Sequence, residues 1–189
     1  MMRVIRIGRF AAIALAVLWL GACASRTTVP SNLGIADAPD WVNQGSQALD
    51  NHDGRLIHGI GSAPAMNDLS LQMSTADERA RAEVARVLSS FMHIVSQDYA
   101  SSVGAAAERQ NEASVSREIE DFTRQNVSGA RVIAHWRNPK NGRTWSLAEL
   151  DLHQIKQMVA NSQAMNAGFK SYFESHASNV FDSMTGEMP

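Results

Sequence analysis

Cysteine is nearly absent from this sequence: Cys23 is the single thiol in 189 residues. One thiol excludes an internal disulfide framework and every cysteine-rich zinc site. Histidine is present six times, at His52, His58, His93, His135, His153 and His176, but never in an H-x-x-x-H or H-E-x-x-H pair, and no acidic cluster stands beside them at metal-ligand spacing. No metal or cofactor is therefore expected. Basic charge is not in surplus either. The 17 Lys and Arg face 19 Asp and Glu, which argues against nucleic acid as a partner. No apolar run reaches the length of about 20 residues that a spanning helix needs.

What is present begins with the run "MMRVIRIGRFAAIALAVLWLGAC". Arg3, Arg6 and Arg9 give a positive start, Phe10 to Leu20 an unbroken apolar stretch of 11 residues, and Gly21 and Ala22 a small-residue exit. That layout reads as a secretory signal. An ordinary signal ends in an A-x-A-like site and has no need of cysteine, whereas Leu20-Gly21-Ala22-Cys23 resembles the lipobox of bacterial lipoproteins. The resemblance implies cleavage between Ala22 and Cys23, a diacylglyceryl thioether on Cys23, and a further acyl chain of the palmitate type on its new amine. Cysteine suits this role because a thiolate forms the thioether readily. Each buried CH₂ contributes about 0.8 kcal/mol and a single chain binds only marginally, so several chains make a stable anchor. The next residue is Ala24. In the lipoprotein resemblance an Asp there favours the inner membrane, and Ala permits transport to the outer one.

Cleavage would leave 167 residues carrying 14 basic and 19 acidic side chains, a balance of −5. Residues 23–38 read as a polar, unpatterned, lipidated tether, 39–162 as the folded domain and 163–189 as a helical C-terminal tail. Within the domain, Arg55 to Ala63 ("RLIHGIGSA") suits a strand in which Gly59 and Gly61 let another backbone or a helix approach closely. Ser70 to about Ser102 reads as a long helix. Its apolar stripe is Ala76, Ala80, Val84, Val87, Phe91, Ile94, Val95 and Tyr99, and its solvated face holds Asp77, Glu78, Arg81 and Arg86. A weaker helix resumes to about Ser128. Ala130 to Arg137 and Arg143 to Leu150 flank "NPKNG" and predict a hairpin, with Val132, Ala134 and Trp136 on one side. From Asp151, an N-cap candidate, the chain is helical again. Its Met- and Phe-rich tail has two destinations open to it, the domain itself or a partner.

"PDWV", the strand "IHGIGSA", the helix "ADERARAEVARVL" and the hairpin "NPKNGRTWSLAELD" follow one another between Pro39 and Asp151. Together with the lipobox, this order resembles the Lpp-twenty type of bacterial outer-membrane lipoprotein, which includes lipoproteins that help build flagellar basal structures. The resemblance implies an α+β fold, a curved antiparallel sheet packed around one long helix, with an additional C-terminal helical segment here that the family core does not require. It also implies a non-enzymatic, periplasm-facing, lipid-anchored protein with a structural or assembly role in the cell envelope. Its partners would be envelope or flagellar proteins and a second copy of itself.

Other candidate residues are read blandly. Ser62 in "GIGSA" lies outside a G-x-S-x-G elbow, and the glycines lack the rest of a phosphate loop. Glu118, Glu120 and Asp121 fan over a helix surface rather than facing one another. Asp151 and His153 straddle a strand-to-helix junction. Trp41, Trp136 and Trp145 suit packing first and sugar stacking second. The second of these roles gives the alternative function, a lipoprotein that binds peptidoglycan or regulates a cell-wall synthase. No catalytic residue and no small-molecule substrate are expected.

Overall fold

The computed structural model describes residues 33–49, 54–103, 119, 121–123 and 129–186. Ala22, Cys23, Glu118, Glu120 and His52 lie outside the described residues. The elements, in chain order, are α1 (Asp40–Gln44), a 3₁₀ turn (Ser46–Ala48), β1 (Leu56–Ala63), α2 (Leu69–Val103), β2 (Arg131–Arg137), β3 (Thr144–Asp151), α3 (Leu152–Asn161) and α4 (Ala167–Thr185). The fold is α+β. An open, three-stranded antiparallel sheet of order β1-β3-β2 lies on the long helix α2, and α4 adds a C-terminal helix.

Helix α2 is 35 residues long, about 52 Å at the usual rise. Asp68 caps its start by accepting the Leu71 N–H at 3.0 Å. The buried residues of its stripe grow along the axis: Ala76, Ala80, Val84, Leu88, Phe91, Met92, Val95. The size gradient reports what lies opposite. The small residues meet the sheet, where strand β1 presents Gly59 and Gly61, and a Cβ on either glycine would run into α2 backbone. The large residues meet α4. Leu88 and Met92 replace Ile94, which is 42% exposed, in the expected stripe. The long stripe drifts because 3.6 residues per turn does not return to the same face every seven residues.

The hairpin forms where expected. Asn138 donates its N–H to the Arg143 carbonyl, and its own carbonyl accepts the Gly142 N–H, each at 2.8 Å. Gly142 takes a φ of 68°, a conformation that glycine adopts without strain. The register shifts between Val132 and Ala134, and this corrects one expectation. The bulge at Ile133 reverses the alternation, so Val132 pairs with helix-facing Ala148 while Ala134 and Trp136 pair with Leu147 and Trp145 on the other face. Val132, Ala134 and Trp136 therefore do not share a side.

Both ends of the described chain are tied to the domain. Leu33 and Ile35, expected in the tether, are tied to Asn43. The Leu33 N–H reaches the Asn43 carbonyl at 3.1 Å, and the Asn43 side chain exchanges two bonds with the Ile35 backbone. The C-terminal segment docks on the domain: Phe169, Phe173, Ala177 and Phe181 of α4 are at most 1% exposed and join the core of α2, α3 and the sheet. Phe91 packs edge-to-face with Phe173 and Phe181, with ring centroids at 5.9 and 5.7 Å. Asn166 caps α4 by accepting the Phe169 N–H at 2.8 Å, and Asp182 near its end holds Arg55 through two charged hydrogen bonds of 2.5 and 2.7 Å. Of the weaker helix expected before Ser128, Ile119 and residues 121–123 are described, and Ile119 and Phe122 are buried in the same core.

Candidate functional site

Strand pairing brings together polar residues that lie far apart in the sequence, and three clusters result. The first joins α2 to the hairpin. Asp77 Oδ1 accepts the Ser146 hydroxyl at 2.7 Å and meets His135 Nε2 at 2.7 Å. Ser146 and His135 are opposite each other in the β2–β3 register, and both point at α2. A serine, a histidine and an aspartate therefore converge. Their order is wrong for nucleophilic catalysis, which places the imidazole between the hydroxyl and the carboxylate. Here the carboxylate sits in the middle, and Ser146 is 0% exposed, beyond the reach of a substrate. What the arrangement does is pin the helix to two strands at once. The sequence pattern places Asp77 on the solvated face of α2. Its departure from that face, and that of Arg81, whose Nε donates to the Ala130 carbonyl at 3.1 Å, has one cause. Both residues lie at the margins of the helix stripe, where a side chain reaches sideways to the sheet or its approach.

The second cluster is a rung across the opposite face of the sheet. Glu149 on the central strand pairs in register with His58 on β1 and Arg131 on β2. His58 Nε2 lies 3.3 Å from Glu149 Oε2, and an Arg131 Nη lies 3.5 Å from Glu149 Oε1. Burial holds the His58 imidazole below its ordinary 6.5, and the Glu149 carboxylate opposes that shift without reversing it. A histidine whose folded pKa is depressed binds fewer protons when folded than when unfolded. Its contribution to stability is complete above about pH 6.5 and is lost as pH falls through the depressed value. Urea unfolding at pH 7.5 and pH 5 should show a loss of stability in the wild type that is smaller in His58→Gln. Identical pH dependence in the two proteins would rule the rung out as the source.

The third is Gln72, which is 0% exposed. Its amide nitrogen donates to the Gly142 carbonyl at 2.7 Å and reaches the Ala63 carbonyl at 3.5 Å, and its oxygen accepts the Met66 N–H at 3.3 Å. One side chain thus fastens the end of β1, the following loop and the hairpin turn. The sequence carried a signal for it: Gln72 stands four residues before Ala76, in line with Ala76, Ala80 and Val84, and a polar side chain on an apolar stripe must find partners.

The remaining candidates stay apart. Ser62 accepts from Arg143 Nη1 at 3.1 Å, and the described residues place no imidazole on it. Asp151 caps α3 by accepting the His153 N–H at 2.8 Å, while the His153 ring meets Gln157. Asp121 borders a cleft of about 810 Å³ whose described walls are otherwise uncharged, among them Gln154, Gln157, Asn161 and Gln163. Trp136 and Trp145 are opposite in register, both half-buried, and Trp41 sits on α1. Among the described residues, the buried Trp145 Nε1 has no hydrogen-bond partner, no group of three or more His, Cys, Asp or Glu is placed to hold a metal, and no helix is long and apolar enough to cross a membrane.

Comparison with known proteins gives no match, either to a protein-family model or to a curated protein.

Proposed function

We propose that the protein is a non-enzymatic lipoprotein of the outer membrane, anchored through lipid on Cys23, facing the periplasm, and serving a structural or assembly role in the cell envelope, including flagellum-associated structures. The observation that carries this reading is the placement of the sole cysteine at the exit of an 11-residue apolar run, behind Leu20, Gly21 and Ala22. The polar clusters are in keeping with it. Asp77, Gln72 and Glu149 spend their hydrogen bonds on joining secondary-structure elements, and the serine among them is buried. In this role, the lipids hold the protein in the leaflet while the α+β domain meets envelope or flagellar proteins or another copy of itself.

Cys23→Ser should move the protein from the membrane fraction to the soluble periplasmic fraction, and intact-mass analysis should find the wild-type chain shortened to begin at Cys23 and heavier by its acyl groups. A mutant that stays in the membrane fraction, or a wild type without added lipid mass, would remove the anchor. Sedimentation with purified sacculi addresses the alternative of a peptidoglycan-binding or synthase-regulating lipoprotein.

A further inference from the structure

We propose that the end of the molecule formed by the β2–β3 turn and the start of α2 is a docking surface for anionic phospholipid headgroups. The hydrogen bond from Gln72 to Gly142 and the close approach of Ala65 to Gly142 bring these two segments together. Four cations gather there: Arg79, Arg137, Lys140 and Arg143. Among the described residues, their side-chain hydrogen bonds go to uncharged oxygens. Arg79 Nη1 donates to the Ser62 carbonyl at 2.6 Å, Arg143 Nη1 to the Ser62 hydroxyl at 3.1 Å, and Arg137 Nε to the Gly142 carbonyl at 3.4 Å. Among the described residues none of the four has a carboxylate partner, whereas Arg55, Arg86, Arg131 and Lys156 are matched with Asp182, Glu83, Glu149 and Glu174.

Each guanidinium has five N–H groups and commits one of them to these contacts, which leaves donors free for the forked geometry that phosphate oxygens accept. The carboxylates of the segments 62–79 and 137–143 are Asp68, which caps α2, Glu78, and Asp77, which is held by His135 and Ser146. Arg81, whose Nε donates to the Ala130 carbonyl, and Lys170 are the other described cations without a carboxylate partner, so in a chain whose mature side chains sum to −5 four of the six unmatched described cations share this end. The apolar component favours a bilayer over a purely polar polyanion. Leu69, Leu71 and Met73, in the first turns of α2, are 49%, 57% and 36% exposed. Cations that meet headgroups beside apolar side chains that enter the interface are the pairing by which peripheral surfaces bind anionic membranes.

The experiment uses residues 23–189 with Cys23→Ser, so that no lipid anchor contributes and failure here leaves the anchor reading intact. The probe is co-sedimentation with phosphatidylcholine vesicles, with and without about one-third phosphatidylglycerol. Binding should require the anionic lipid and fall with added salt. Since each basic residue near an anionic surface contributes about 1 kcal/mol, or about fivefold, the double variant Arg137→Glu/Lys140→Glu should bind at least ~30-fold more weakly. Leu71→Ser, which changes one exposed side chain, should also bind more weakly. Equal binding to neutral vesicles, or unchanged binding in either variant, would overturn the proposal. So would retention on purified sacculi without binding to anionic vesicles, which would assign the cations to a cell-wall polymer.

Discussion

Gly61→Ala should lower the unfolding free energy by about 3 kcal/mol or more. The added Cβ would point at the helix, against the Ala80 nitrogen and the Ala76 carbonyl oxygen, with the Arg79 carbonyl carbon at 2.7 Å. All three are backbone atoms of α2, so no rotamer change relieves the clash. Overpacking a core by a methyl group costs about 1–3 kcal/mol when side chains can shift, and here a strand and a helix would have to separate. Separation would also loosen Ile57 and Ala63, which share the helix-facing side of β1 and are 2% and 0% exposed. The loss compares with a total stability of about 5–15 kcal/mol for a domain of this size. Gly59→Ala, whose Cβ would lie 2.6 Å from the Val84 nitrogen, should behave in the same way. Gly54→Ala is the control. Among the described residues its Cβ would meet only Leu56 side-chain carbons, at 3.8 and 3.9 Å, and the substitution should change stability by less than about 1 kcal/mol. Urea midpoints followed by circular dichroism would measure all three. A Gly61→Ala protein as stable as Gly54→Ala would mean that the strand does not lie so close to the helix.

That close approach was legible in the sequence, because glycines alternating in a strand beside a helix with alanines four apart have few other uses. The hairpin was legible for a similar local reason, since Asn138, Pro139, Asn141 and Gly142 are turn formers between two β-like runs. The features that escaped the sequence are those set by register. A single extra residue at Ile133 decides which face His135 and Trp136 occupy, and nothing in "RVIAHWR" marks the bulge. The convergence of Asp77, His135 and Ser146, whose positions span 69 residues, depends on that bulge. The same applies to the rung His58–Glu149–Arg131, which exists because β3 is the central strand, an order that local patterns do not fix. For Cys23 the reverse holds: its placement behind the apolar run is legible in the sequence, and it lies outside the described residues.

The second large effect concerns the C-terminal segment. A chain ending at Ser162 should lose its cooperative unfolding transition, bind hydrophobic dyes and aggregate. Read as a tail on a self-sufficient domain, residues 163–189 would be dispensable, but α4 supplies Phe169, Phe173 and Phe181, each 1% exposed. Full burial of a phenylalanine is worth about 1.5–3 kcal/mol, so three approach the whole stability of a small domain. Their removal would also uncover Phe91, now in edge-to-face contact with Phe173 and Phe181. Tyr99 would lose its contact with Phe169 at 5.6 Å, and Asp98 would lose the Tyr172 hydroxyl at 2.6 Å, whose pKa is pushed up to about 12 by burial first and by this bond second. Phe173→Ala in the full chain gives a graded version of the test, with an expected cost of about 3–5 kcal/mol. Near-UV circular dichroism and differential scanning calorimetry would follow both proteins. A truncated chain that melts cooperatively with a native-like near-UV spectrum would show α4 to be an appendage. Loss of the transition would mean that the phenylalanines cannot serve as a detachable arm for a partner, because releasing them would unfold the domain. A partner could then meet α4 only through its outward side, where Ser171, Glu174 and Asn179 are exposed, and recognition there would be polar rather than aromatic.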